Sequence, residues 1–198
     1  MGTLLEDVGN IVVFHGKRYR VDTAYDTVLL LQKLYGEKRL GAADKVAAAL
    51  KLLVKNHWKV RLLSKMEQVR LLERITQEKI QLPRRPQVGP ARKLLDFELD
   101  GDYIYASFRQ AYGMDLHQER GRLQWRSFCQ LLDGLPEKTK LREVMRIRAM
   151  DIPEPTRYNQ KERQNIMQLK AYYALPVKGH GGQKGLDMLF SALERMAG

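Results

Sequence analysis

The chain has 198 residues, 44% of them hydrophobic, and a formal net charge of +12. This size fits one domain or two small ones, and the absence of an 18-residue apolar run excludes a membrane span. The single cysteine, Cys129, excludes an internal disulfide framework and a zinc cluster of several thiolates, and we expect it to be buried or half-buried. The basic excess favours an acidic partner. The first ten residues lack the pattern of a secretory signal, so we expect a cytoplasmic protein.

The first predicted element is a β-hairpin over residues 11–21. Gly16 lies at its centre and can supply the positive φ that a two-residue turn needs. Beyond the turn, Tyr19 and Val21 alternate with two arginines, which gives one apolar and one basic face. A lone hairpin is marginally stable in water, so its apolar face is expected to lie on the helices that follow or on a partner.

Three helices are predicted in the rest of the N-terminal half. The first has Asp22 or Thr23 as its N-cap and ends near Gly36. The second spans about residues 42–54, and the third spans about residues 59–80. Five residues of the third helix are expected to face inward: Leu62, Met66, Val69, Leu72 and Ile75.

A proline-rich linker over residues 83–94 is the predicted boundary between two halves, because proline removes a backbone donor and restricts the preceding residue. It separates the hairpin and helices of residues 1–82 from a helical core over residues 95–176. A hinge and a C-terminal helix are predicted over residues 177–198. The core is expected to contain four helices, at residues 101–112, 123–132, 138–149 and 159–174. The predicted fold class is mainly α, with an N-terminal β-hairpin followed by a multi-helix bundle.

Four carboxylates lie close together at the start of the predicted core. Asp96, Glu98 and Asp100 match the first ligands of an EF-hand loop, but Ser107 stands where a bidentate Glu should complete the site. With Asp102, the same residues could serve a metal-dependent enzyme, although such chemistry needs carboxylates that converge from different elements. In the simpler interpretation, Asp100 and Asp102 cap the helix that follows. We predict no metal site, no catalytic residue and no cofactor.

The aromatic residues of the core lie at helical spacing. Trp125 and Phe128 share a stripe with Leu132, and Phe108 and Tyr112 share another. Aromatic residues interleaved with cations can stack on bases, but these lie beside acids, so packing in the core is the favoured interpretation. Trp125 is therefore expected to be buried against the face that carries Phe108 and Tyr112.

The order of acids, aromatics and glycine across residues 96–116 (DFELDGDYIYASFRQAYGMDL) resembles a known family. This is the phage gene-product-fifteen family, small proteins of tailed phages and prophages of Gram-positive hosts. The resemblance continues through residues 123–128 (LQWRSF) and a segment with Met145, Arg148 and Asp151. In all it covers about residues 10–35 and 95–176. The chain departs from the family pattern at Arg126, where the family usually has a second tryptophan.

The resemblance implies a non-enzymatic tail-assembly protein, because such genes typically lie between those for the major tail protein and the tape-measure protein. It would act as a chaperone that keeps the long helical tape-measure protein soluble in the cytoplasm of the host bacterium and helps to recruit the major tail protein. Self-association is a further expectation. An apolar groove would bind a tape-measure helix. Its predicted residues are Phe108, Tyr112, Trp125, Phe128 and Leu132.

The alternative function is a basic nucleic-acid-binding phage protein. Its affinity would fall steeply with salt, because phosphate contacts release counterions. Eight residues would supply those contacts: Lys59, Arg61, Lys65, Arg70, Arg74, Arg84, Arg85 and Arg92.

Overall fold

A computed structural model of the chain describes residues 9–82 and 93–176. These residues form two compact units. The first consists of residues 9–82 and 120–128, and the second of residues 93–119 and 129–176. The predicted class, mainly α with an N-terminal β-hairpin, is confirmed. No helix within the described residues has the length and apolar character that crossing a membrane requires.

Two predicted segments fall largely beyond this description. The predicted tail, 177–198, and all of the predicted linker except residues 93 and 94 lie outside the described residues. The domain boundaries placed there stay predictions.

The hairpin forms as the sequence predicts. Strand β1, Ile11–Phe14, pairs antiparallel with β2, Lys17–Arg20, and Val12 lies opposite Tyr19 in the register. Both turn residues have positive φ, 47° at His15 and 69° at Gly16, as a type I′ turn requires. Val12 and Tyr19 are fully buried. The apolar face of the hairpin therefore belongs to the core of the first unit.

Helix α1 spans Tyr25–Gly36, and α2 spans Ala42–Leu53. The predicted N-cap of α1 is wrong, because the N-cap is Ala24 and no side chain caps the helix. Instead, the Asp22 carboxylate accepts the N–H of Ala24 at 3.1 Å, just before the helix. The Thr23 hydroxyl is hydrogen-bonded to the side chains of Asn10 and Gln124. Asp22 and Thr23 thus stabilise the segment just before the helix and do not cap its first turn.

The predicted third helix is interrupted. A 3₁₀ helix covers His57–Leu62, helix α3 covers Lys65–Ile75, and a π-helical turn covers Thr76–Ile80. The break is a capping box: the Ser64 hydroxyl accepts the N–H of Glu67 at 3.3 Å, and the Glu67 carboxylate accepts the N–H of Ser64 at 2.8 Å.

This break changes which side chains are buried. Leu62 and Met66, both predicted to face inward, are 68% and 43% exposed. Leu72 and Ile75, which lie beyond the new helix start, are buried as predicted. The spacing of apolar residues on either side of the break matches that of one continuous helix. The residues before and after the break nevertheless belong to separate helices.

Residues 120–128 join the first unit through backbone and side-chain contacts. The N–H of Tyr25 donates to the Leu123 carbonyl at 2.9 Å, and the ring of Phe128 stacks on Tyr25 with centroids 4.9 Å apart. The Trp125 indole N–H donates to the Ile80 carbonyl at 3.0 Å, in the π-helical turn. Trp125 is buried as predicted, at 4% exposure, whereas its packing against the face of Phe108 and Tyr112 stays a prediction. Its hydrogen-bond partner is a residue of the first unit.

The second unit is built on three further helices and one shared helix. Helix α4 spans Gly101–Tyr112, α6 spans Lys140–Ala149, and α7 spans Gln160–Tyr172. Helix α5, Trp125–Asp133, begins in the first unit and ends in the second. Gly113 ends α4 as predicted, with a φ of 64° that suits glycine. The buried apolar residues of α4 and α6 are Ile104, Phe108, Leu141, Val144 and Ile147.

We expect Trp125→Ala to destabilise the first unit by about 3–5 kcal/mol, because it leaves a cavity and an unpaired carbonyl at Ile80. Urea unfolding followed by far-UV circular dichroism measures the free energy of unfolding. The matched control is Trp58→Ala, which removes a tryptophan that is 64% exposed and should change stability by less than about 0.5 kcal/mol. Equal losses in the two variants would contradict the assigned role of Trp125.

Candidate functional site

In the acidic loop before α4, the carboxylates of Asp96 and Asp100 accept hydrogen bonds from other groups of the same chain. The Asp100 side chain is 1% exposed, and both of its oxygens accept hydrogen bonds from the Arg148 guanidinium at 2.7 Å. A bidentate pair of this kind is among the strongest polar contacts in proteins. The N–H of Asp96 also donates to the Asp100 carboxylate at 2.9 Å. Asp100 therefore serves as an internal anchor.

Arg148 connects three segments of the second unit. Besides Asp100, its guanidinium donates to the Leu94 carbonyl at 2.8 Å and to the Tyr173 carbonyl at 2.7 Å. The side chain is 8% exposed, so these contacts form largely out of water. The start of the unit, the beginning of α4 and the end of α7 are thus fixed by one side chain of α6.

Asp96 organises the loop itself. Its carboxylate accepts hydrogen bonds from Lys93 at 2.6 Å and from the N–H groups of Glu98 and Leu99 at 2.9 and 3.1 Å. Burial alone would raise the pKa of Asp96, but these donors outweigh burial and lower it below the ordinary value. The carboxylate is therefore an ionised acceptor for its own loop.

The predicted helix caps and the EF-hand alternative both differ from the observed geometry. Asp100 occupies the N-cap position of α4 but makes no capping hydrogen bond, because Arg148 and Asp96 use its oxygens. Ser107, which would be the last EF-hand position, accepts the N–H of Leu141 in the interior. Residues 9–82 and 93–176 contain no group of three or more metal-ligating side chains.

Cys129 is half-buried, as the sequence predicts. Burial raises the pKa of its thiol to about 12, so the thiolate is scarce at neutral pH. The geometry gives this residue no features of an activated nucleophile.

The five residues of the predicted apolar groove differ in accessibility. Phe108, Trp125 and Phe128 are at most 4% exposed and contribute to the cores of their units. Tyr112 is 37% exposed, and its hydroxyl donates to the carbonyl of Leu131 at 2.8 Å. Leu132 is partly exposed. The groove itself stays a prediction, and only Tyr112 and Leu132 offer it accessible surface in this conformation.

The predicted phosphate contacts do not form one line along a helix. Lys59 donates to a hairpin carbonyl at 3.2 Å, and Arg74 forms an ion pair with Glu78. Lys65 and Arg70 are exposed on α3, but five positions separate them, which turns them about 140° apart. Three of the eight residues lie outside the described residues: Arg84, Arg85 and Arg92.

An apolar surface that the sequence did not predict lies on the 3₁₀ helix His57–Leu62. Trp58 is 64% exposed and Leu62 is 68% exposed, whereas Val60 between them is buried. The Lys59 ammonium lies 5.5 Å from the centroid of the Trp58 ring. The predicted helix over 59–80 began after Trp58, and Leu62 was expected to face inward. Apolar periodicity therefore did not predict the exposure of either residue.

Beside this helix is an open depression of about 310 Å³. Its apolar lining comes from Ala47 and Ala48 on α2 and from Val60 on the 3₁₀ helix, and Lys51 and Arg61 place cations around it. The remaining lining residues are His57 and Gln68. A shallow, apolar depression with a basic rim can hold an apolar side chain that lies next to a carboxylate.

The sequence profile of the family described as Bacteriophage Gp15 protein matches residues 5–175. The chain belongs to this family. No curated protein and no solved structure matches the chain. The resemblance predicted from the sequence is thereby confirmed, and membership of the Gp15 family indicates a phage structural or morphogenesis protein.

The Gp15 match extends beyond the two segments in which the resemblance was first visible. It includes both the 3₁₀ helix with Trp58 and the acidic loop held by Arg148. Both features therefore lie within the region that the family profile matches.

We expect Asp100→Asn to reduce the free energy of unfolding by about 3–5 kcal/mol, because it leaves the guanidinium of Arg148 buried without a counter-charge. Arg146→Met removes an exposed cation from the same helix and should change stability by less than about 0.5 kcal/mol. The double variant Asp100→Leu/Arg148→Met should lose less than the sum of its single substitutions. Additive losses in a urea denaturation cycle would contradict a coupled pair.

Proposed function

We propose that this Gp15-family protein is a non-enzymatic tail-assembly chaperone that binds the tape-measure protein in the host cytoplasm. The observation that carries the proposal is the exposure of Trp58 and Leu62 on an ordered helix of a phage protein. A chaperone must offer apolar surface to its client, and large exposed apolar residues typically mark interaction sites. The major tail protein is a second proposed partner, and self-association is a further proposed property.

The second unit also offers apolar side chains to a partner. Helix α7 has no buried residue, and Met167, Leu169 and Tyr172 are 50%, 44% and 78% exposed. Each unit thus carries accessible apolar side chains on a helix. This supports the binding of a long client, because a long client can contact a protein at more than one place.

The acidic loop supports a non-enzymatic role. Catalysis by carboxylates needs them to face a substrate or a metal ion with free oxygens. Here Asp96 accepts hydrogen bonds from its own loop, and Asp100 is paired with Arg148. The two carboxylates that most resembled catalytic groups in the sequence therefore stabilise the second unit through internal contacts.

Nucleic-acid binding is not the function we propose. Of the five predicted contacts among the described residues, Lys59 contacts the hairpin and Arg74 is paired with Glu78. Arg61 is exposed on the 3₁₀ helix, and Lys65 and Arg70 lie on different sides of α3. A groove that follows a phosphate backbone needs cations in a continuous track. The observed arrangement favours a protein partner instead.

Co-expression with the tape-measure protein of the same phage tests the proposal. We expect the soluble fraction of the tape-measure protein to rise several-fold, because exposed apolar helices aggregate unless another protein covers them. The control replaces this chain with an unrelated basic helical protein at the same expression level. Equal solubility with the chain, with the control protein and with neither would overturn the chaperone function.

A further inference from the structure

We propose that the first unit carries a docking surface for an amphipathic helix whose apolar stripe is flanked by Asp and Glu. The surface, called the Trp58 surface below, consists of Ala47, Ala48, Lys51, Trp58 and Arg61. The inference deepens the proposed function by naming the chemistry of the partner. It rests on that function only for the identity of the protein that carries the helix.

The exposed side chains of the Trp58 surface stand on an anchored backbone. The side chain of Asn56, directly before the 3₁₀ helix, accepts the N–H of Arg20 at 2.8 Å and donates to the carbonyl of Arg18 at 3.1 Å. Val60, in the middle of the helix, is 2% exposed. The short helix is therefore fixed to the hairpin and to the core. Trp58 is presented by an ordered element, which lowers the entropy lost when a partner binds.

Trp58 lies on the same 3₁₀ helix as His57, Val60 and Arg61, which line the depression. In a 3₁₀ helix, side chains three positions apart are eclipsed, so Trp58 stands in line with Arg61. Arg61 itself lines the depression. An apolar side chain that enters the depression would thus have an indole beside it. Tryptophan and arginine are also the residue types enriched where interfaces derive most of their binding energy.

The volume of the depression limits the size of the group that it can bind. About 310 Å³ is at the lower end of the range for ligand pockets, and this depression is open to solvent. It can hold one bulky side chain of a partner, with a neighbouring side chain of the same stripe lying on Trp58. This is how a helix in a groove is recognised, through a few apolar anchors on one face.

The charges of the surface select an acidic partner. No carboxylate in residues 9–82 or 93–176 forms an ion pair with Lys51 or Arg61. The acid in the first turn of α3, Glu67, is held by Ser64 in the capping box. The rim is therefore basic and not neutralised by these residues. Carboxylates beside the apolar stripe of a partner would complement it and speed association.

An acidic protein helix fits this surface better than a nucleic acid does. Burying Ala47, Ala48 and the Trp58 ring against apolar groups is favourable, and phosphates supply no apolar groups. Single-stranded nucleic acids need cations along several nucleotides beside the stacking residue. Here two rim cations, Lys51 and Arg61, accompany an aliphatic surface.

The two tryptophans of the chain provide a direct test. Trp125 is 4% exposed and Trp58 is 64% exposed, so quenching by acrylamide reports mainly on Trp58. The probe is a synthetic amphipathic peptide with a leucine stripe flanked by glutamates, added to the full chain. Three comparison ligands are a peptide with lysines in place of the glutamates, a scrambled glutamate peptide and a single-stranded oligonucleotide.

We expect the glutamate peptide to shift the emission of Trp58 to the blue and to protect it from acrylamide, whereas the three comparison ligands bind at least about tenfold more weakly. Trp58→Phe should abolish the spectral change, because it removes the reporting indole. Calorimetry then measures the binding of the glutamate peptide to this variant. Lys51→Glu/Arg61→Glu should raise the Kd about tenfold or more. Lys138→Glu/Arg146→Glu, two exposed substitutions in the second unit, is the matched charge control and should leave the Kd unchanged.

Several results would overturn the Trp58 surface: no change in Trp58 emission, equal binding of the glutamate and lysine peptides, or tighter binding of the oligonucleotide. Failure here is distinguishable from failure of the chaperone function. If co-expression solubilises the tape-measure protein while the peptide fails to bind, the surface is wrong and the function stands. If the peptide binds while co-expression has no effect, the surface stands and the function is wrong.

Discussion

The second unit depends on one buried guanidinium. Arg148 of α6 contacts Leu94, Asp100 and Tyr173, which lie far apart in the sequence. An ion pair taken out of water is favourable only when its geometry is good and further hydrogen bonds satisfy the remaining donors. Here the carboxylate accepts two of the five N–H groups of the guanidinium, and two backbone carbonyls accept two more. The pair therefore joins the beginning of α4 to α6, beside the buried apolar residues of the two helices.

This arrangement explains why the most suggestive motif of the sequence is a folding motif. Asp96, Asp100 and Arg148 all lie in segments through which the chain resembles its family, and in the structure they lie close together. Carboxylates spaced like a calcium loop can equally well bind backbone N–H groups and an arginine, since all of these are positively polarised donors. Sequence spacing does not distinguish the two uses, because the decisive partner comes from a distant helix.

Local signals predicted most of the helices and the hairpin, whereas contacts distant in sequence were not predictable. The turn at Gly16 and the end of α4 at Gly113 follow from the conformational freedom of glycine, which is a local property. The return of residues 120–128 to the first unit depends on contacts such as the one between Trp125 and Ile80. No periodicity encodes such a contact. The Asp100 anchor was missed for the same reason.

The exposure of Leu62 shows how one local rule determines which apolar side chains of a segment are accessible. The apolar spacing of Leu62 and Met66 matches a continuous helix, which would have buried both. The capping box of Ser64 and Glu67 provides hydrogen-bond acceptors for N–H groups at the start of a helix. Helix α3 therefore begins at Lys65 and does not continue the preceding 3₁₀ helix. Leu62 consequently stays exposed on the same short helix as Trp58. The hydroxyl of Ser64 and the carboxylate of Glu67 thereby determine which apolar side chains of this segment stay exposed.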